Sequence, residues 1–339
     1  MEKNEKMKIS FIAPNDWANV LTEYSHCLNK HSDDIESRSI CFHPHTFNYN
    51  IKHDYDLDRC DGVQKQEAKH FIEESDIIIF GEEVSMAPTN YKILELCKML
   101  GVDILNSNKK LCIWHPGSHY RRNHIFYNTH PLRHKIHKHL YGIDLYRLSN
   151  KESNDHPIHA YQYIDFSYDK FISNFKTKLK TKPWTILHMP SNTHTKGTNV
   201  INKVINNLNL DSTQFQYKMI TNVPHSVSIK EKENSIFYID QFWPQGAGGY
   251  GVSTLESLFA SNVTFSTINN ISDSMIKLTG KSECPVVSLG TSEEELYSTL
   301  NDFIKNTTES QLVGYMEDAG KWLDKCYSVD SVIKFFKNL

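Results

Sequence analysis

The sequence lacks several features that would assign it to a membrane, secreted or dinucleotide-binding class. No apolar run approaches the ~20 residues that a bilayer-spanning helix needs, and the charged start of the chain does not resemble a signal peptide. The seven cysteines lie singly rather than in close pairs, as reduced core thiols do. No G-x-G-x-x-G motif follows the first predicted strand, which disfavours a doubly wound dehydrogenase or epimerase. We therefore expect a globular protein of the cytoplasm.

Length and charge set further limits. The 339 residues suffice for two domains with separate cores, and the apolar content of 39 % supports globular folding. The formal net charge of −3 argues against a general nucleic-acid binder, whose charge is usually strongly basic. Any charge on a substrate must then be handled by a local site.

Glycine is scarce overall but concentrated in one segment. Four of the 14 glycines lie between Gly246 and Gly251, after an apolar run that ends at Asp240 and before a helical pattern that contains Glu256. If the apolar run is a buried parallel strand, the loop lies at the carboxyl end of that strand, where ligand pockets form. The N–H groups of the loop and of the following helix start would bind a diphosphate there without a metal ion. Taken alone, the pattern fits a simple turn equally well.

A second stretch supports the phosphate interpretation. The segment HMPSNTHTKGT, residues 188–198, follows the apolar run WTIL and precedes a periodic helical pattern. Lys196 stands just before Gly197 at the start of that helix. A lysine in this position can reach a phosphate held at a neighbouring loop as a point charge.

The alternation of apolar runs with amphipathic helices predicts doubly wound parallel sheets. In the first half, the predicted strands are 8–14, 37–42, 75–81 and 111–114, with further strands within 141–149 and 159–166, and the predicted helices are 16–30, 64–74 and 89–100. In the second half, the predicted strands are 184–189, 216–221, 236–239, 262–267 and 285–289, with a capped helix at 292–306 and a final, broken helical segment at 309–339. The segment 48–62 has no period and is predicted to be a long surface loop.

The segments 188–198 and 236–261 together resemble the C-terminal domain of family 4 glycosyltransferases, which have the GT-B fold. Lys196, Gly197 and Glu256 match the family's Lys–Gly pair and its ribose-binding glutamate. The resemblance implies an α/β protein with two Rossmann-like doubly wound domains facing a central cleft. It places an acceptor-side domain at residues 1–169 and a nucleotide-sugar-binding domain at 170–325. Residues 326–339 are expected to return to the first domain as a helix.

The resemblance also implies donor-site residues, with Asp240 as a candidate catalytic group. The donor-binding candidates are Ser191, Asn192, Lys196, Gly197, Gln241, Gly248, Gly249, Tyr250, Gly251 and Glu256. The sequence departs from the family at two positions. Gly248 occupies the place of the sugar-contacting glutamate, and Ser191 stands where the family has an arginine. We expect Gly248 and Gly249 to approach the donor through their backbone instead.

The resemblance also implies acceptor-side residues, because in the family the loop after the first strand faces the acceptor. The segment HPGSHYRR, residues 115–122, resembles the cleft loop of the family. The acceptor-side candidates are Asp16, Trp17, Gly117, Ser118 and Arg121. The catalytic imidazole of the cleft is assigned to His115 or His119, because Pro116 occupies its usual place. For both histidines, a role in the loop alone is the open alternative.

Residues 121–139, RRNHIFYNTHPLRHKIHKH, are dense in arginine, lysine and histidine. A cationic wall for an anionic acceptor, a phosphorylated lipid surface or nucleic acid would look like this. A solvated helix face is the interpretation favoured here, because half of the charge depends on histidine protonation.

These patterns predict a glycosyltransferase that moves a sugar from a nucleotide-diphosphate sugar, with UDP favoured, to an acceptor that is a glycan, a lipid-linked group or a nucleic acid. No cofactor and no metal are expected, since the donor is a substrate, and His43 and His45 lack a third ligand at metal-binding spacing. Peripheral membrane contact and nucleic acid remain open as partners. The alternative is a nucleotide-sugar-binding protein without catalysis, which the substitutions at Gly248 and Ser191 motivate.

Overall fold

A computed structural model describes residues 5–43, 49, 51–81, 101–103, 108–129, 131–159, 161, 166–243 and 248–339. The predicted helix at 89–100, together with His45 and Gly246, lies outside the described residues. The chain divides into two compact units: Met1–Tyr163 joined by Val329–Leu339, and Ile164–Ser328. Each unit is built on a parallel sheet with flanking helices, so the predicted α/β class is confirmed.

The first unit contains a seven-stranded parallel sheet with the order β3-β2-β1-β4-β5-β6-β7. Its strands are β1 Met7–Ala13, β2 Ile35–Cys41, β3 Tyr55–Asp56, β4 Ile77–Phe80, β5 Lys110–His115, β6 Lys138–Tyr141 and β7 Asp155–Pro157. The central β4, IIIF, is buried along its whole length, as a continuous apolar run predicts for a strand covered on both faces. Ile12, Ile78 and Ile113 of adjacent strands form the middle of the core.

The described helices of the first unit are α1 Val20–His31, α2 Gly62–Glu74, α3 Ser118–Thr129 and, from the end of the chain, α11 Val329–Lys337. A capping box at Asp61 and Gln64 starts α2. The helix α11 packs on α1 and the sheet, where the Phe336 ring lies edge-on to Phe11 at a centroid distance of 5.4 Å. Lys337 Nζ also contacts Asp34 Oδ2 at 2.6 Å.

The second unit contains a five-stranded parallel sheet with the order β12-β11-β10-β8-β9. Its strands are β8 Trp184–His188, β9 Phe215–Met219, β10 Phe237–Gln241, β11 Val263–Ser266 and β12 Val287–Ser288. Its helices are α4 Tyr168–Leu179, α5 Thr198–Asn207, α6 His225–Glu233, α7 Val252–Phe259, α8 Ser272–Thr279, α9 Glu293–Asn301 and α10 Glu309–Tyr327.

Several sequence-based boundaries differ from the structure. The helix predicted from residue 16 begins at Val20, because Ala18 and Asn19 adopt left-handed backbone angles in a turn. The strands predicted within 141–149 and 159–166 are instead β6 and β7, and residues 146–148 form a 3-10 turn. The helix predicted at 292–306 ends at Asn301 and continues as a π-helical turn.

Candidate functional site

Two neighbouring strands of the second unit bring the candidate residues together. β8 and β10 pair in parallel, with Ile239 opposite His188, so the segments that follow them leave the same edge of the sheet. The first segment leads to Lys196 and α5, and the second leads to the glycine loop and α7. The carboxyl edge of a parallel sheet is the usual ligand position in such folds.

Lys196 and Asp240 form the centre of the site. Lys196 Nζ lies 2.7 Å from Asp240 Oδ1 and 3.3 Å from the Gln241 side-chain oxygen. An ammonium group has three N–H donors, so one donor of the half-buried Lys196 remains beyond these partners among the described residues. The lysine is therefore held in place while it can still donate to an anion.

Asp240 is almost fully buried and accepts from two side chains. Its Oδ2 accepts a hydrogen bond from Thr254 Oγ1 at 2.8 Å, and its Oδ1 accepts from Lys196. Burial alone would raise the pKa of this carboxyl group, but the charge of Lys196 and the hydrogen bonds hold the pKa below its ordinary value. An ionised Asp240 that orients Lys196 is the arrangement this geometry produces.

Two glycines of the site are fixed by their backbone conformation. Gly197 has φ +67°, and an added Cβ would lie 2.0 Å from the carbonyl oxygen of Phe242. Gly248 has φ +62°, and an added Cβ would lie 2.0 Å from the Asn269 side-chain oxygen. At Gly197 a side chain is excluded both by conformation and by the Phe242 backbone. At Gly248 the left-handed φ strains any other residue, whereas the crowding comes only from the ends of the Asn269 and Asn270 side chains. The left-handed conformation therefore favours glycine at position 248.

The glycine loop ends at the N-terminus of α7. Gly251 is the residue before the helix, and no side chain there caps its N–H groups. Gln241 Nε2 donates to the Gly249 carbonyl oxygen at 2.9 Å and so ties the loop to the end of β10. An uncapped helix start beside Lys196 offers N–H donors and a partial positive charge to an anionic ligand.

Glu256 lies in a buried ion pair. Its Oε1 contacts His225 Nε2 at 2.7 Å, and its Oε2 contacts the ammonium of Lys232, which is 0 % exposed. Burial would raise the pKa of Glu256, but Lys232 and His225 lower it to about 2. Lys232 Nζ also donates to Ser253 Oγ at 2.9 Å. Both carboxylate oxygens thus have protein partners, and the expected contact of Glu256 with a ribose stays a prediction.

Other donor-site candidates occupy different surroundings. Ser191 and Asn192 lie in an exposed turn, where Asn192 Oδ1 accepts from the Thr195 N–H at 3.0 Å. Tyr250 is buried, and its hydroxyl lies 3.8 Å from Met275 Sδ and 3.5 Å from the Tyr327 hydroxyl. The side chain of Tyr250 therefore packs into the unit rather than toward an open site.

Four residues that contact the candidate site are not predicted from the sequence. Thr254, Lys232, His225 and Ser253 connect α6, α7 and the end of β10. A sequence signal for Thr254 and Ser253 exists. Polar residues in the first turn of a helix that follows a glycine loop can contact a ligand or the end of the preceding strand. Lys232 had no such signal, since a lysine in the charged run IKEKE indicates an exposed helix face.

His115, a catalytic candidate of the first unit, lies in the core rather than in an open loop. Its Nε2 contacts His139 Nδ1 at 3.1 Å, and its ring stacks on Tyr141 at 4.7 Å. Burial lowers the pKa of His115 to about 3. This position does not suit a group that must touch a substrate. The side chain of the second candidate, His119, lies outside the described residues, so its role stays a prediction.

The acceptor-side candidates have mixed surroundings. Asp16 is buried and accepts from the N–H groups of Leu21 and Thr22 at 3.0 and 2.8 Å, so it stabilises the start of α1. Arg121 pairs with Asp144 through an Nη2–Oδ2 contact of 2.5 Å. Gly117 is half-buried in the loop before α3, and the side chains of Trp17 and Ser118 lie outside the described residues.

Two further kinds of feature are absent from the described ranges. No group of three or more His, Cys, Asp or Glu side chains there is arranged to hold a metal ion. No helix there combines the length and apolar character that a membrane span requires.

No family model matches this chain, and no curated protein matches it in sequence. The chain is similar in structure to an alpha-glucosyltransferase in complex with UDP and a 13-mer DNA containing a HMU base, with a TM-score of 0.59 and 11 % identity over 98 % of this chain and 99 % of that chain. It is also similar to an alpha-glucosyltransferase (AGT) in complex with UDP, with a TM-score of 0.56 and 11 % identity over the same shares. A S. aureus MnaA–UDP structure gives a TM-score of 0.53 and 12 % identity over 98 % and 97 %.

These similarities confirm the predicted fold class. The chain has the GT-B fold, with two Rossmann-like units on parallel sheets. Membership of family 4 within that fold stays a resemblance, since identities near 11 % show the fold alone.

Proposed function

We propose that the protein is a UDP-sugar-dependent glycosyltransferase. The observation that carries this proposal is the ammonium of Lys196, fixed by Asp240 and Gln241 beside a glycine loop and an uncapped helix start. Transfer from a nucleotide-diphosphate sugar requires stabilisation of the departing diphosphate. The Lys196 cation and the N–H groups of an uncapped helix start would supply that stabilisation.

The choice of UDP rests on the solved neighbours, which are described in complex with UDP. In this proposal Lys196 binds the diphosphate directly, and Asp240 acts as a positioning residue. The negative charge of the leaving group is met by Lys196 and by the N–H groups at the start of α7, so a divalent metal is not required.

The acceptor is proposed to bind the first unit. Arg121, held by Asp144, and the half-buried Gly117 belong to the segment that follows β5 and starts α3. This segment leaves the carboxyl edge of its sheet, where ligands of such sheets bind. One of the solved neighbours is described with DNA, which keeps nucleic acid among the candidate acceptors.

The function is tested by incubating the protein with a panel of nucleotide sugars and measuring release of the nucleoside diphosphate. We expect turnover of a UDP-sugar in the presence of EDTA, and loss of turnover in Lys196→Ala. The exposed lysine variant Lys203→Ala on α5 is the matched control, and its turnover should equal that of the wild type. Tight UDP binding without release from any donor or acceptor would instead support a catalytically silent binding protein. Absence of both binding and turnover would refute the proposal.

A further inference from the structure

The second unit contains a cavity of about 530 Å³ that the proposed function does not use. It lies between α10, the end of α8 and residues 281–285, which lead to β12. This volume is within the range of small-molecule sites in proteins, about 300–1,000 Å³. None of the described donor-site candidates lines the cavity. A ligand bound here would therefore be a molecule other than the sugar donor.

The inner wall of the cavity is apolar and partly aromatic. It is formed by the half-buried side chains of Cys284, Pro285, Tyr315 and Trp322. The Tyr315 hydroxyl donates to the Pro285 carbonyl oxygen, so its polar end already has a protein partner. Burial raises the pKa of the Cys284 thiol to about 12, which keeps the thiol neutral at physiological pH. This wall suits a flat apolar group.

The rim of the cavity carries charge. Three ammonium groups and two carboxylates line it, all on exposed residues: Lys281, Lys321, Lys325, Glu283 and Asp318. Lys321 Nζ lies 3.1 Å from Asp318 Oδ1, and Lys325 Nζ donates to the Thr279 carbonyl oxygen at 3.3 Å. The side chain of Lys281 makes no ion pair with the described residues. An anion can therefore pair with Lys281 without displacing a protein partner.

Trp322 connects the cavity with the glycine loop of the donor site. Its ring packs edge-on against Tyr250 at a centroid distance of 6.2 Å. Tyr250 is buried, stands between Gly249 and Gly251 in the loop, and has its hydroxyl 3.5 Å from the Tyr327 hydroxyl. A ligand that packs on Trp322 is therefore one side chain away from the residue that anchors the glycine loop.

We propose that this cavity binds a small organic anion with a flat apolar body, and that the bound anion tightens UDP binding through Trp322 and Tyr250. The apolar body packs on Trp322 and Tyr315, and the anionic group pairs with Lys281. By covering the exposed part of the Trp322 ring, the ligand holds this ring against Tyr250 and orders the glycine loop before UDP binds. Binding in the cavity is independent of the proposed function, whereas the effect on UDP rests on it.

The cavity is tested with two fluorescent probes that share the same rings. Anilinonaphthalene sulfonate carries an anionic group, and phenylnaphthylamine is its uncharged counterpart. We expect the wild type to bind one sulfonate probe per chain, roughly tenfold more tightly than the uncharged probe, because only the sulfonate forms a charged hydrogen bond. In Lys281→Gln the affinity for the sulfonate should fall roughly tenfold, while the affinity for the uncharged probe stays the same.

Two further variants complete the binding test. Trp322→Phe keeps an aromatic ring but reduces the wall, so it should weaken the binding of both probes. Lys230→Gln is the matched control, because Lys230 is an exposed lysine of α6 that does not line the cavity. It should bind both probes like the wild type. Urea unfolding of each variant shows whether a loss of binding comes from a loss of folding.

The effect on the donor site is measured by calorimetric titration of UDP with and without the sulfonate probe. We expect the probe to raise the affinity for UDP about fivefold, at the lower end of typical coupling between two sites. By thermodynamic linkage, UDP must raise the affinity for the probe by the same factor. In Trp322→Phe this factor should fall toward one, because the contact between the cavity and Tyr250 is reduced.

Several results would overturn the proposal. Absence of saturable sulfonate binding, or equal affinities for the two probes, would contradict an anion site in the cavity. Sulfonate binding that is lost in Lys196→Ala but unchanged in Lys281→Gln would place the probe at the donor site instead. An affinity for UDP that stays the same or falls in the presence of the probe would refute the effect on UDP. Binding of the sulfonate through Lys281 and Trp322 by a wild type that does not bind UDP would support the cavity site and refute the donor function.

Discussion

Lys196 Nζ and Asp240 Oδ1 lie 2.7 Å apart although 44 residues separate them in the chain. Lys196 follows β8, and Asp240 lies near the end of β10. Because β8 and β10 are neighbouring parallel strands, both residues lie at one edge of the sheet. The half-buried ammonium and the buried carboxylate are complementary in charge. Substitution of either residue therefore affects both the ligand and the stability of the unit.

Lys196→Ala is expected to weaken UDP binding by about 1.5–3 kcal/mol, because one charged hydrogen bond to the diphosphate is lost. The substitution also leaves Asp240 buried without its cation, so a double variant Lys196→Ala/Asp240→Asn is needed. This double variant should regain stability but not UDP affinity. Calorimetric titration with UDP and urea unfolding separate the two effects. Recovery of UDP affinity in the double variant would show that Lys196 does not bind the ligand.

Glu256→Gln is expected to destabilise the protein by about 3–5 kcal/mol, because it leaves the fully buried ammonium of Lys232 without its counterion. The double variant Lys232→Met/Glu256→Gln removes both charges and should recover most of this loss. Urea unfolding measures both changes. UDP affinity, measured in the double variant, then tests the ribose contact free of the folding effect. Unchanged affinity would identify Glu256 as a purely structural residue.

The glycines allow a test of backbone geometry with a matched control. Gly197→Ala should destabilise the protein by more than about 1 kcal/mol, since alanine is strained at φ +67° and its Cβ would meet the Phe242 carbonyl. Gly251→Ala should be tolerated, because φ there is −110° and, among the described residues beyond its chain neighbours, no atom lies within 4 Å of an added Cβ. Thermal melting compares the two variants. Equal melting temperatures would show that the loop relaxes around Gly197.

The buried histidines predict a loss of stability in mild acid. The pKa values of His115 and His139 are lowered by burial to about 3, whereas the unfolded chain binds protons near pH 6.5. Stability contributed by these neutral rings is present above pH 6.5 and falls as the pH drops toward 3. At pH 5 the loss is about 2 kcal/mol for each histidine. Urea unfolding at pH 7.5 and 5.0 measures it.

His139→Gln should reduce this pH dependence, because it removes one of the buried groups that must stay neutral. The exposed His134→Gln is the matched control and should leave the dependence unchanged. Glu256 does not contribute in this range, since its pKa of about 2 makes its effect appear only as the pH falls below about 4.5. A free energy of unfolding that is the same at both pH values would contradict the account.

Much of the fold follows from local sequence rules. A continuous apolar run such as IIIF at Ile77–Phe80, with strand length and a following glycine, is typical of a buried parallel strand, and parallel strands send their following loops to one edge of the sheet. The meeting of Lys196 with Asp240 was predictable on this basis. The fixed conformation of Gly248 was not, because φ and the clash with Asn269 depend on a segment distant in sequence.

Other features depend on tertiary burial that no local pattern encodes. Lys232 lies in a charged helical run but is completely buried, because α7 provides Glu256 and Ser253 at the distance of its ammonium. His115 is the last residue of β5 and belongs to the core with His139, although a histidine beside proline and glycine indicates a loop. For Lys232 and His115, burial is determined by the side chains that each residue contacts rather than by its residue type.

The central claim is that Lys196 and the start of α7 bind the diphosphate of a UDP-sugar. Isothermal titration calorimetry of UDP into the wild type and Lys196→Ala, in buffer with EDTA, tests it most directly. The account predicts one UDP bound per chain by the wild type and an affinity at least tenfold lower for the variant, about 1.4 kcal/mol. No binding heat from the folded wild type at millimolar UDP, or equal affinity for both proteins, would contradict it.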